Sequence, residues 1–355
     1  MRIPTTSKYI KKEHRAAAKA AQLCGLVLAG GEGQRLRSFV KRLRGDALPK
    51  QYVNFSGSRS MLEHTYIRAE KLIARERLFT IVNQAHLNFP EVTDQLHDRR
   101  PGTVVVQPVN RETGPGLLLP LTYLYKRYPD AAVAVFPSDQ FILEADHLMR
   151  YIRLAHAVVE RHPSKLVMLG VSPDYEEPDY GYILPSSARD TTGWGIHSVH
   201  AFFEKPDILR AHELIGQGAL WNTMLMVFNA GALLRWVSEL HPDIYGHFAR
   251  IYDAIGTGAE AAIVQSAYDE LSTVNFSKEL LEPLVEKHPG RLAVLPVTHL
   301  TWSDWGTEAR IISSLNKLGK IPCSTQRIPA VQNSNRLGSK PRRPDHSAAF
   351  TIQKN

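Results

Sequence analysis

Short apolar runs alternate with helical stretches in the first half of the chain, and this alternation limits the fold more than any other feature. The apolar runs occupy residues 23–28, 78–82, 103–106, 132–136 and 165–170, and helical spacing occupies about 115–127 and 145–161. Short strands that alternate with helices predict an α/β domain in which a mostly parallel sheet is flanked by helices. Because ligands collect at the carboxyl ends of such strands, we expect the loops after residues 28, 106 and 136 to face one site.

A different pattern begins after about residue 175. Strand-like runs at 181–184, 199–203 and 224–228 are separated by helical stretches near 207–216 and 230–239. We interpret this part as an inserted α+β region that caps the same edge of the sheet. Beyond it, the pattern predicts helices over 245–290, a strand at 291–297 and a closing helix at 306–315.

The positive charge of the chain is concentrated at its two ends. Residues 1–21 carry six Lys or Arg and one Glu, and residues 317–355 carry eight Lys or Arg and one Asp. Since the whole chain has a net charge of +8, the body between them is mildly acidic. We interpret residues 1–21 as a basic arm and residues 317–355 as a basic, disordered tail. No aromatic RNA-binding motif or zinc-finger spacing accompanies them, so we expect no nucleic-acid partner.

Composition excludes several classes of protein. With 43% apolar and 22% charged residues, most of the chain can bury a core, which excludes a wholly disordered chain. No apolar run approaches the roughly 20 residues that span a bilayer, and no apolar segment follows the basic N-terminus as it does in a secretory signal. The only cysteines, Cys24 and Cys323, make no disulfide framework. We therefore expect a cytoplasmic protein without a membrane span.

A glycine-rich turn follows the first apolar run. Gly30, Gly31 and Gly33 lack side chains, so backbone N–H groups there can close on phosphate oxygens, and Arg35 and Lys50 add positive charge. The spacing matches neither the dinucleotide fingerprint, whose third glycine is missing, nor the Walker loop. A glycine-rich turn alone is as readily structural. With the two cations behind it, we interpret it as a cradle for a polyphosphate.

The turn and the segment Pro49-Lys50-Gln51 resemble the sugar-1-phosphate nucleotidylyltransferase family, and Pro-Lys-Gln is similar to its mannose-1-phosphate guanylyltransferase branch. The family's later motifs follow in order: a nucleoside-binding segment at 107–115, a metal motif at 136–139, sugar-phosphate segments at 181–183, 203–206 and 221–222, and a second metal motif at 302–306. Independent turns have no reason to line up in this order. The resemblance implies a Rossmann-like nucleotidyltransferase domain over 22–316, with a nucleotide-binding half at 22–175 and a sugar-phosphate-binding half at 176–316.

The resemblance implies that a nucleotidyl group passes from an NTP, expected to be GTP, to a sugar-1-phosphate, expected to be mannose-1-phosphate, with Mg²⁺ as cofactor. It implies that Arg35, Lys50 and Asp139 are catalytic and that Asp139 and Asp304 hold the metal. The nucleotide would be bound by Gly30, Gly31, Gly33, Gln107, Asn110, Arg111, Gly114 and Pro115. The sugar phosphate would be bound by Gly181, Tyr182, Glu204, Lys205 and Asn222.

Alternatives stay open at this point. The same chemistry could act on glucose-1-phosphate with UTP or dTTP, or the chain could be a catalytically silent regulator that binds a nucleotide sugar. Asp139 could hold a turn, and Asp304 could cap the following helix instead of binding a metal. Retention of Arg35, Lys50 and Lys205 beside the two aspartates favours the enzyme. The sequence also leaves a homo-oligomer open.

Three departures from the family pattern concern the surroundings of the site. The stretch 37–48 is longer than the commoner family spacing and rich in basic residues, so we predict a longer basic loop over the triphosphate. Met224 stands where the family has glycine, which should alter the sugar pocket or its backbone path. Trp305 stands where valine is usual. Guanine preference therefore depends on the resemblance alone.

Overall fold

A nine-stranded mixed sheet forms the centre of the computed structural model, which describes residues 22–187 and 194–319. The predicted basic arm at 1–21 and the predicted tail from residue 320 onward lie outside the described residues, as do residues 188–193. Lys317, at the start of the predicted tail, instead ends the last helix.

Strands and helices alternate through most of the described chain. The strands are β1 (Leu23–Leu28), β2 (Leu78–Asn83), β3 (Val104–Gln107), β4 (Ala132–Pro137), β5 (Phe141–Ile142), β6 (Leu166–Val171), β7 (Gly181–Pro185), β8 (His197–Glu204), β9 (Leu220–Asn229), β10 (Leu292–Val297) and β11 (Trp302–Ser303). The α-helices are α1 (Arg37–Arg44), α2 (Met61–Ala69), α3 (Pro90–Leu96), α4 (Thr113–Arg127), α5 (Ala145–Arg161), α6 (Ile208–Gly216), α7 (Ala230–Leu240), α8 (Pro242–Ala254), α9 (Glu260–Glu270), α10 (Glu282–Lys287) and α11 (Glu308–Lys317). Short 3₁₀ helices occur at Gln34–Leu36, Lys50–Tyr52, Arg75–Arg77 and Gln84–Asn88, and a π-helical turn occurs at Ser277–Leu281. Among these described helices, none combines the length and the apolar character needed to cross a bilayer.

Seven of the nine described strands of the sheet run in the same direction. The strand order is β3-β2-β1-β4-β9-β6-β10-β8-β7. β2 and β4 pair with β1 in parallel, and β10 pairs with β6 in parallel. β9 is antiparallel to β4 and β6, and β8 is antiparallel to β10 and β7. Apart from this sheet, β5 and β11 form a two-stranded ribbon.

Helices cover both faces of the sheet because its central strands are apolar on both. All six residues of β4 are buried. Ala132 and Ala134 belong to the hydrophobic cluster that includes α2 and α5, whereas Val133 and Val135 belong to the cluster that includes α4 and α7. Alternate residues of a strand point to opposite faces, so one apolar run supplies both layers of the core.

The prediction of a loop over residues 37–48 is wrong for most of that stretch, because Arg37–Arg44 forms helix α1. Phe39 and Val40 are buried on one side of this helix. It ends at Gly45, whose φ of 92° is left-handed, and the Gly45 N–H donates to the Lys41 carbonyl. The helical pattern is hard to detect because the few apolar residues stand among many arginines and lysines.

The sheet also differs from the prediction at β9. The pattern predicts that the region after residue 175 caps the edge of the sheet, whereas β9 lies inside it, between β4 and β6. Eight of the ten residues of β9 are buried. An apolar run of this kind does not reveal the neighbours or the direction of a strand, because those depend on contacts far apart in the sequence.

Candidate functional site

A change of partner along β9 opens the candidate site. At its start β9 pairs with β7, and near its end it pairs with β4. Asn222 and Met224 lie between these two pairings and line a cleft of about 310 Å³. Pro137, at the end of β4, and Gly181, at the start of β7, line the same cleft. The cleft therefore lies where a parallel strand ends, as expected for an α/β sheet.

The cleft brings together predicted site residues from distant parts of the chain. Eight of them line it: Gly31, Arg35, Asp139, Gly181, Glu204, Lys205, Asn222 and Asp304. The lining also includes residues that were not predicted, namely Leu28, Gln51, Glu112, Thr113, Pro137, Gln140, Asp179, Tyr180, Met224, Asn275, Ser277 and Trp302. The catalytic and binding roles of all these residues stay predictions.

The Lys50 ammonium joins the two predicted metal ligands. Its Nζ lies 3.0 Å from Oδ2 of Asp139 and donates a hydrogen bond of 2.8 Å to the backbone carbonyl of Asp304. Lys50 is only 6% exposed, so this charge is largely shielded from water and needs its anionic partner. The Asp139 and Asp304 segments, far apart in the sequence, thus meet at one cation.

The Asp304 carboxylate is held by a set of donors around one of its oxygens. Its Oδ1 accepts hydrogen bonds from the Tyr180 hydroxyl at 2.6 Å and from Arg310 at 2.8 Å. Burial would raise the pKa of Asp304, but the Tyr180 hydrogen bond and the charges of Lys50 and Arg310 outweigh it, so the pKa lies below its ordinary value. Asp304 is therefore ionised at neutral pH. Tyr180 and Arg310 were missed because isolated polar residues form no local motif.

Arg35 connects the glycine-rich turn to the loop before β7. It forms an ion pair with Asp179 across the cleft, and its second terminal nitrogen lies 3.5 Å from Oδ2 of Asp304. The Arg35 side chain is 52% exposed. Because an exposed ion pair contributes little to stability, an anionic ligand can replace Asp179 at small cost.

Buried side chains behind the glycine-rich turn fix its conformation. The Gln51 amide donates to the carbonyl oxygens of Ala29 and Gly31, both at 2.8 Å, and the Tyr52 hydroxyl donates to Ala29 at 3.0 Å. Gln51 and Tyr52 are nearly inaccessible to solvent. These bonds supply partners that water cannot supply there. Gln51 was predicted only as part of a motif, and its contacts with the turn were not foreseen.

Gly33 has a left-handed backbone conformation that favours glycine, and Gly30 lies close to the end of one side chain. A Cβ at Gly30 would lie 2.7 Å from Nε2 of Gln107. Gly33 has a φ of 60°, and a Cβ added there would lie 3.3 Å from the backbone nitrogen of Lys50. By contrast, Gly31 has open space around it and lies in the cleft.

The predicted nucleoside segment reaches the cleft through residues other than those predicted. Glu112 and Thr113 line the cleft, and Glu112 has a φ of 70°. The Asn110 side chain accepts a hydrogen bond from the Glu112 N–H at 2.9 Å, which stabilises this turn. Gln107 is buried outside the lining, and its amide donates to the Gly30 carbonyl at 3.4 Å. Both predicted side chains thus support the local backbone.

The other three predicted nucleotide-binding residues are Arg111, Gly114 and Pro115. They connect the start of α4 to Tyr268 in α9 and to Val274, which follows α9. Arg111 Nε donates to the Tyr268 carbonyl at 3.1 Å, and the Pro115 carbonyl accepts from the Tyr268 hydroxyl at 3.3 Å. The Gly114 N–H donates to the Val274 carbonyl at 2.8 Å, and a Cβ on Gly114 would lie 2.8 Å from that oxygen. These three residues lie outside the lining of the cleft and position the segment that forms it.

The predicted sugar-phosphate residues divide between the cleft and the core. Glu204, Lys205 and Asn222 line the cleft, and Lys205 Nζ lies 3.4 Å from Oε1 of Glu204. Burial raises the pKa of Glu204, and the Lys205 ammonium opposes part of this rise. Tyr182 is completely buried instead, and its hydroxyl bonds to the backbone of Glu177.

The two aspartates fit a divalent cation that is bound together with a polyphosphate. Asp139 uses Oδ2 for Lys50, and Oδ2 of Asp304 has one long contact, at 3.5 Å from Arg35. Mg²⁺ commonly takes one or two carboxylates and completes its shell with water and substrate phosphates. Within 22–187 and 194–319, no group of three or more His, Cys, Asp or Glu could hold a metal. The fit therefore depends on phosphates that the substrate brings.

The strand ends of this sheet carry a glycine-rich turn, buried and exposed cations and two aspartates. This combination is typical of nucleotide-binding transferases. Residues 24–320 match the family of nucleotidyl transferases, and the chain belongs to this family. It is 27% identical over 322 residues to mannose-1-phosphate guanylyltransferase 2 of Escherichia coli O157:H7, covering 85% of this chain and 62% of that protein. It is 29% identical over 291 residues to the alginate biosynthesis protein AlgA of Pseudomonas fluorescens, covering 81% of this chain and 57% of that protein.

The chain thus spans less than two thirds of the length of these curated relatives. A crystal structure named mannose-1-phosphate geranyltransferase, from Thermus thermophilus, superposes with a TM-score of 0.68 at 23% identity, covering 82% of this chain and 79% of that one. This likeness confirms the predicted α/β fold class. The family match confirms the resemblance to nucleotidyltransferases that the sequence motifs indicate.

We predict that the fold loses stability between pH 6.5 and about 4 because of His86, which lies behind the glycine-rich turn. His86 is 2% exposed, its Nδ1 lies 3.3 Å from the Tyr52 hydroxyl, and burial lowers its pKa from 6.5 to about 4. In this range the unfolded chain binds a proton that the folded chain excludes. Stability is therefore fully present above pH 6.5 and falls with pH, by up to roughly 3 kcal/mol from this group.

Urea denaturation at about pH 7.5, 6 and 5 measures this loss. His86→Gln should flatten the pH dependence of the free energy of unfolding. His97→Gln, at a side chain that is 85% exposed, should leave that dependence unchanged. An equally steep dependence in His86→Gln would contradict the assignment to this histidine.

Proposed function

We propose that the chain transfers a nucleotidyl group from GTP to mannose-1-phosphate in the cytoplasm, giving GDP-mannose and pyrophosphate. One observation carries this proposal: the Lys50 ammonium joins Asp139 and Asp304 at a cleft that has the glycine-rich turn on one side and Glu204 and Lys205 on the other. The name of the guanylyltransferase relative supports the base and the sugar. The name of the alginate biosynthesis relative supports a role in supplying a polysaccharide precursor.

The reaction is an in-line displacement at phosphorus. An oxygen of the sugar phosphate forms a bond to the α-phosphorus, the bond from that phosphorus to the bridging oxygen breaks, and pyrophosphate leaves. The nucleophile is already ionised, so no general base is required. The main obstacle is the approach of two anions, since like unit charges about 4 Å apart repel by about 4 kcal/mol at an effective dielectric near 20. Catalysis therefore consists mainly of positioning and charge neutralisation.

The cations near the glycine-rich turn suit the triphosphate. In this proposal Arg35 exchanges Asp179 for the departing pyrophosphate, which its exposed and weakly stabilised ion pair permits. Lys50 stays between the two aspartates and neutralises the phosphates around the reacting centre. Its burial makes each of its charge interactions stronger than at the surface.

The opposite wall of the cleft suits the sugar phosphate. Lys205 is 55% exposed at its side chain, so its ammonium can bind an incoming phosphate. Glu204 and Asn222 lie beside it and can accept hydrogen bonds from sugar hydroxyls. Gly181 keeps this wall open, because a Cβ there would lie 2.9 Å from Oε2 of Glu204.

Members of the family generally use a divalent metal, and we propose Mg²⁺, held by Asp139 and Asp304. When bound, Mg²⁺ would neutralise charge on the triphosphate and on the leaving pyrophosphate. The lowered pKa of Asp304 keeps this ligand ionised at neutral pH. Tyr180 and Arg310 bind its other oxygen and so hold the carboxylate in one orientation.

The proposal is tested by assaying pyrophosphate release from the full chain over a grid of NTPs and sugar-1-phosphates. We expect the highest kcat/KM for GTP with mannose-1-phosphate. A higher value for UTP or dTTP with glucose-1-phosphate would keep the reaction class and change the substrates. Tight binding of an NDP-sugar without turnover with any divalent metal would favour the silent regulator instead.

We predict that Arg35→Ala lowers turnover by roughly 10²–10³-fold, as the loss of one charge-stabilising donor does elsewhere. Arg37→Ala is the matched control, since Arg37 is exposed two residues away and does not line the cleft. Steady-state pyrophosphate release measures both variants. Equal activities in the two would remove Arg35 from the catalytic group.

We also predict that Asp139→Asn and Asp304→Asn each raise the Mg²⁺ concentration needed for half-maximal activity, because an amide is a weaker ligand than a carboxylate. Titration of Mn²⁺, followed by electron paramagnetic resonance in the presence of nucleotide, provides a readout besides activity. Asp98→Asn, at an exposed residue, serves as the control. Unchanged metal affinity in either site variant would leave that aspartate a structural role only.

A further inference from the structure

A second cleft lies beside strand β5. Its volume is about 370 Å³, compared with about 310 Å³ for the first cleft. It is bounded by residues 53–59, one side of α2 and the strand residues Phe141 and Ile142. Gln140 lines both clefts. The functional assignment above makes no use of this space.

A buried arginine without an acidic partner lies in the wall of the second cleft. Arg68 is 5% exposed, and its guanidinium donates to the Thr65 hydroxyl at 2.8 Å. Among the described residues no carboxylate forms an ion pair with it. Burial alone lowers the pKa of Arg68 to about 10. Because buried charges in proteins are normally paired, this guanidinium is a ready partner for an anion that enters the cleft.

The other cations of the cleft point to the same kind of ligand. Arg59 is exposed and makes no hydrogen bond or ion pair with the described part of the chain. Lys71 also lines the cleft and pairs with Asp146 at 2.6 Å, an exposed pair that an anion can replace. No Asp or Glu of the described residues lines this cleft. Its electrostatic character therefore favours a multiply charged anion.

An aromatic wall of Phe55, Phe141 and Trp305 lies beside these cations. The ring of Trp305 stacks on Phe141 at 4.7 Å and contacts the edge of Phe55 at 5.5 Å. Trp305 is 4% exposed, and its Nε1 has no hydrogen-bond partner among the described residues. This Nε1 atom is closed to solvent, so it offers no contact to a ligand in the cleft. The half-buried ring of Phe141 leaves aromatic surface against which a planar base can pack.

We propose that the second cleft binds a nucleoside phosphate, whose phosphates pair with Arg68 and Arg59 and whose base lies against Phe55, Phe141 and Trp305. A sugar phosphate would satisfy the arginines but not the aromatic wall. Inorganic phosphate would leave most of the volume empty. The nucleoside phosphate matches the buried guanidinium, the aromatic lining and the size of the cleft together.

The position of this cleft gives its ligand a route to the candidate active site, a consequence that rests on the proposed function. Trp305 directly follows Asp304, and Phe141 lies two residues after Asp139. A ligand that contacts the Trp305–Phe141 stack therefore contacts both segments that carry the predicted metal ligands. If this ligand and the metal both bind more tightly to the same arrangement of these segments, each raises the affinity for the other by the same factor.

The test is photolabelling of the full chain with an azidopurine nucleoside diphosphate, followed by mass mapping of the labelled peptides. Mapping separates the two clefts without any use of catalytic activity. We expect label on peptides that contain residues 53–71 or Trp305, in addition to label at the first cleft. Label confined to the first cleft, or no label at all, would overturn the second site. The grid of substrate assays tests the proposed function independently of this outcome.

Variants identify the groups that hold the nucleotide. We expect Arg68→Met and Arg59→Met each to weaken labelling of the second cleft about tenfold, as the loss of a charged hydrogen bond does. Trp305→Phe keeps an aromatic ring at this position, so it should weaken labelling less. Arg153→Met, at an exposed arginine outside the cleft, should have no effect. Arg59 is exposed, so its variant keeps the test decisive if Arg68→Met does not fold.

Competition distinguishes the sources of the anion. Unlabelled nucleoside diphosphate should displace the probe from the second cleft at concentrations where inorganic phosphate and mannose-1-phosphate do not. Equal displacement by inorganic phosphate would overturn the nucleoside part of the proposal. Stronger displacement by mannose-1-phosphate would assign the cleft to a sugar phosphate instead. Equal labelling in wild type, Arg68→Met and Arg59→Met would overturn the assignment to the arginines.

Discussion

The contact of one buried ammonium with two distant segments is the interaction on which the site depends. Lys50 reaches Asp139 through its carboxylate and Asp304 through its backbone carbonyl. In a setting that is mostly shielded from water, each of these contacts is stronger than a surface ion pair, and loss of either partner would leave a buried charge unpaired. The glycine-rich half and the half that contains the last helix therefore cannot separate at this point without a large energetic cost.

A second layer of contacts determines how Asp304 is presented to the cleft. Tyr180 and Arg310 both bind Oδ1, and Arg310 also pairs with Glu177. Within the described part of the chain, the opposite oxygen, Oδ2, has one long polar contact, with Arg35. This division leaves one oxygen for a ligand and uses the other to fix the side chain, an arrangement typical of residues that support metal sites.

How much of the molecule can be predicted depends on whether the signal is local. The strand before the glycine-rich turn and the long helices α4 and α5 are encoded in apolar periodicity, so they were predicted from a few neighbouring residues. The insertion of β9 between β4 and β6 depends on pairing between distant segments, and no neighbouring residue reports it.

The same distinction applies to the candidate site. Arg35, Lys50, Asp139, Lys205 and Asp304 belong to motifs whose order along the chain resembles a known family, and all five meet around one cleft. Tyr180 and Arg310 stand in no motif, and the folded chain alone brings them to Asp304. Gln107 and Gly114 were predicted to bind the nucleotide, and that role stays a prediction; in the structure they bond to the backbone carbonyls of Gly30 and Val274.

The switch of β9 from β7 to β4 has a consequence for how the two walls of the cleft can vary. Among the described strands, β9 alone pairs with both the β7–β8 hairpin, which carries Glu204, and β4. Substitutions in that hairpin can reshape one wall while the register of β1, β2 and β4 stays the same. The hairpin wall of the cleft can therefore vary around the Arg35–Asp179 and Tyr180–Asp304 contacts while the strands behind the glycine-rich turn keep their pairing.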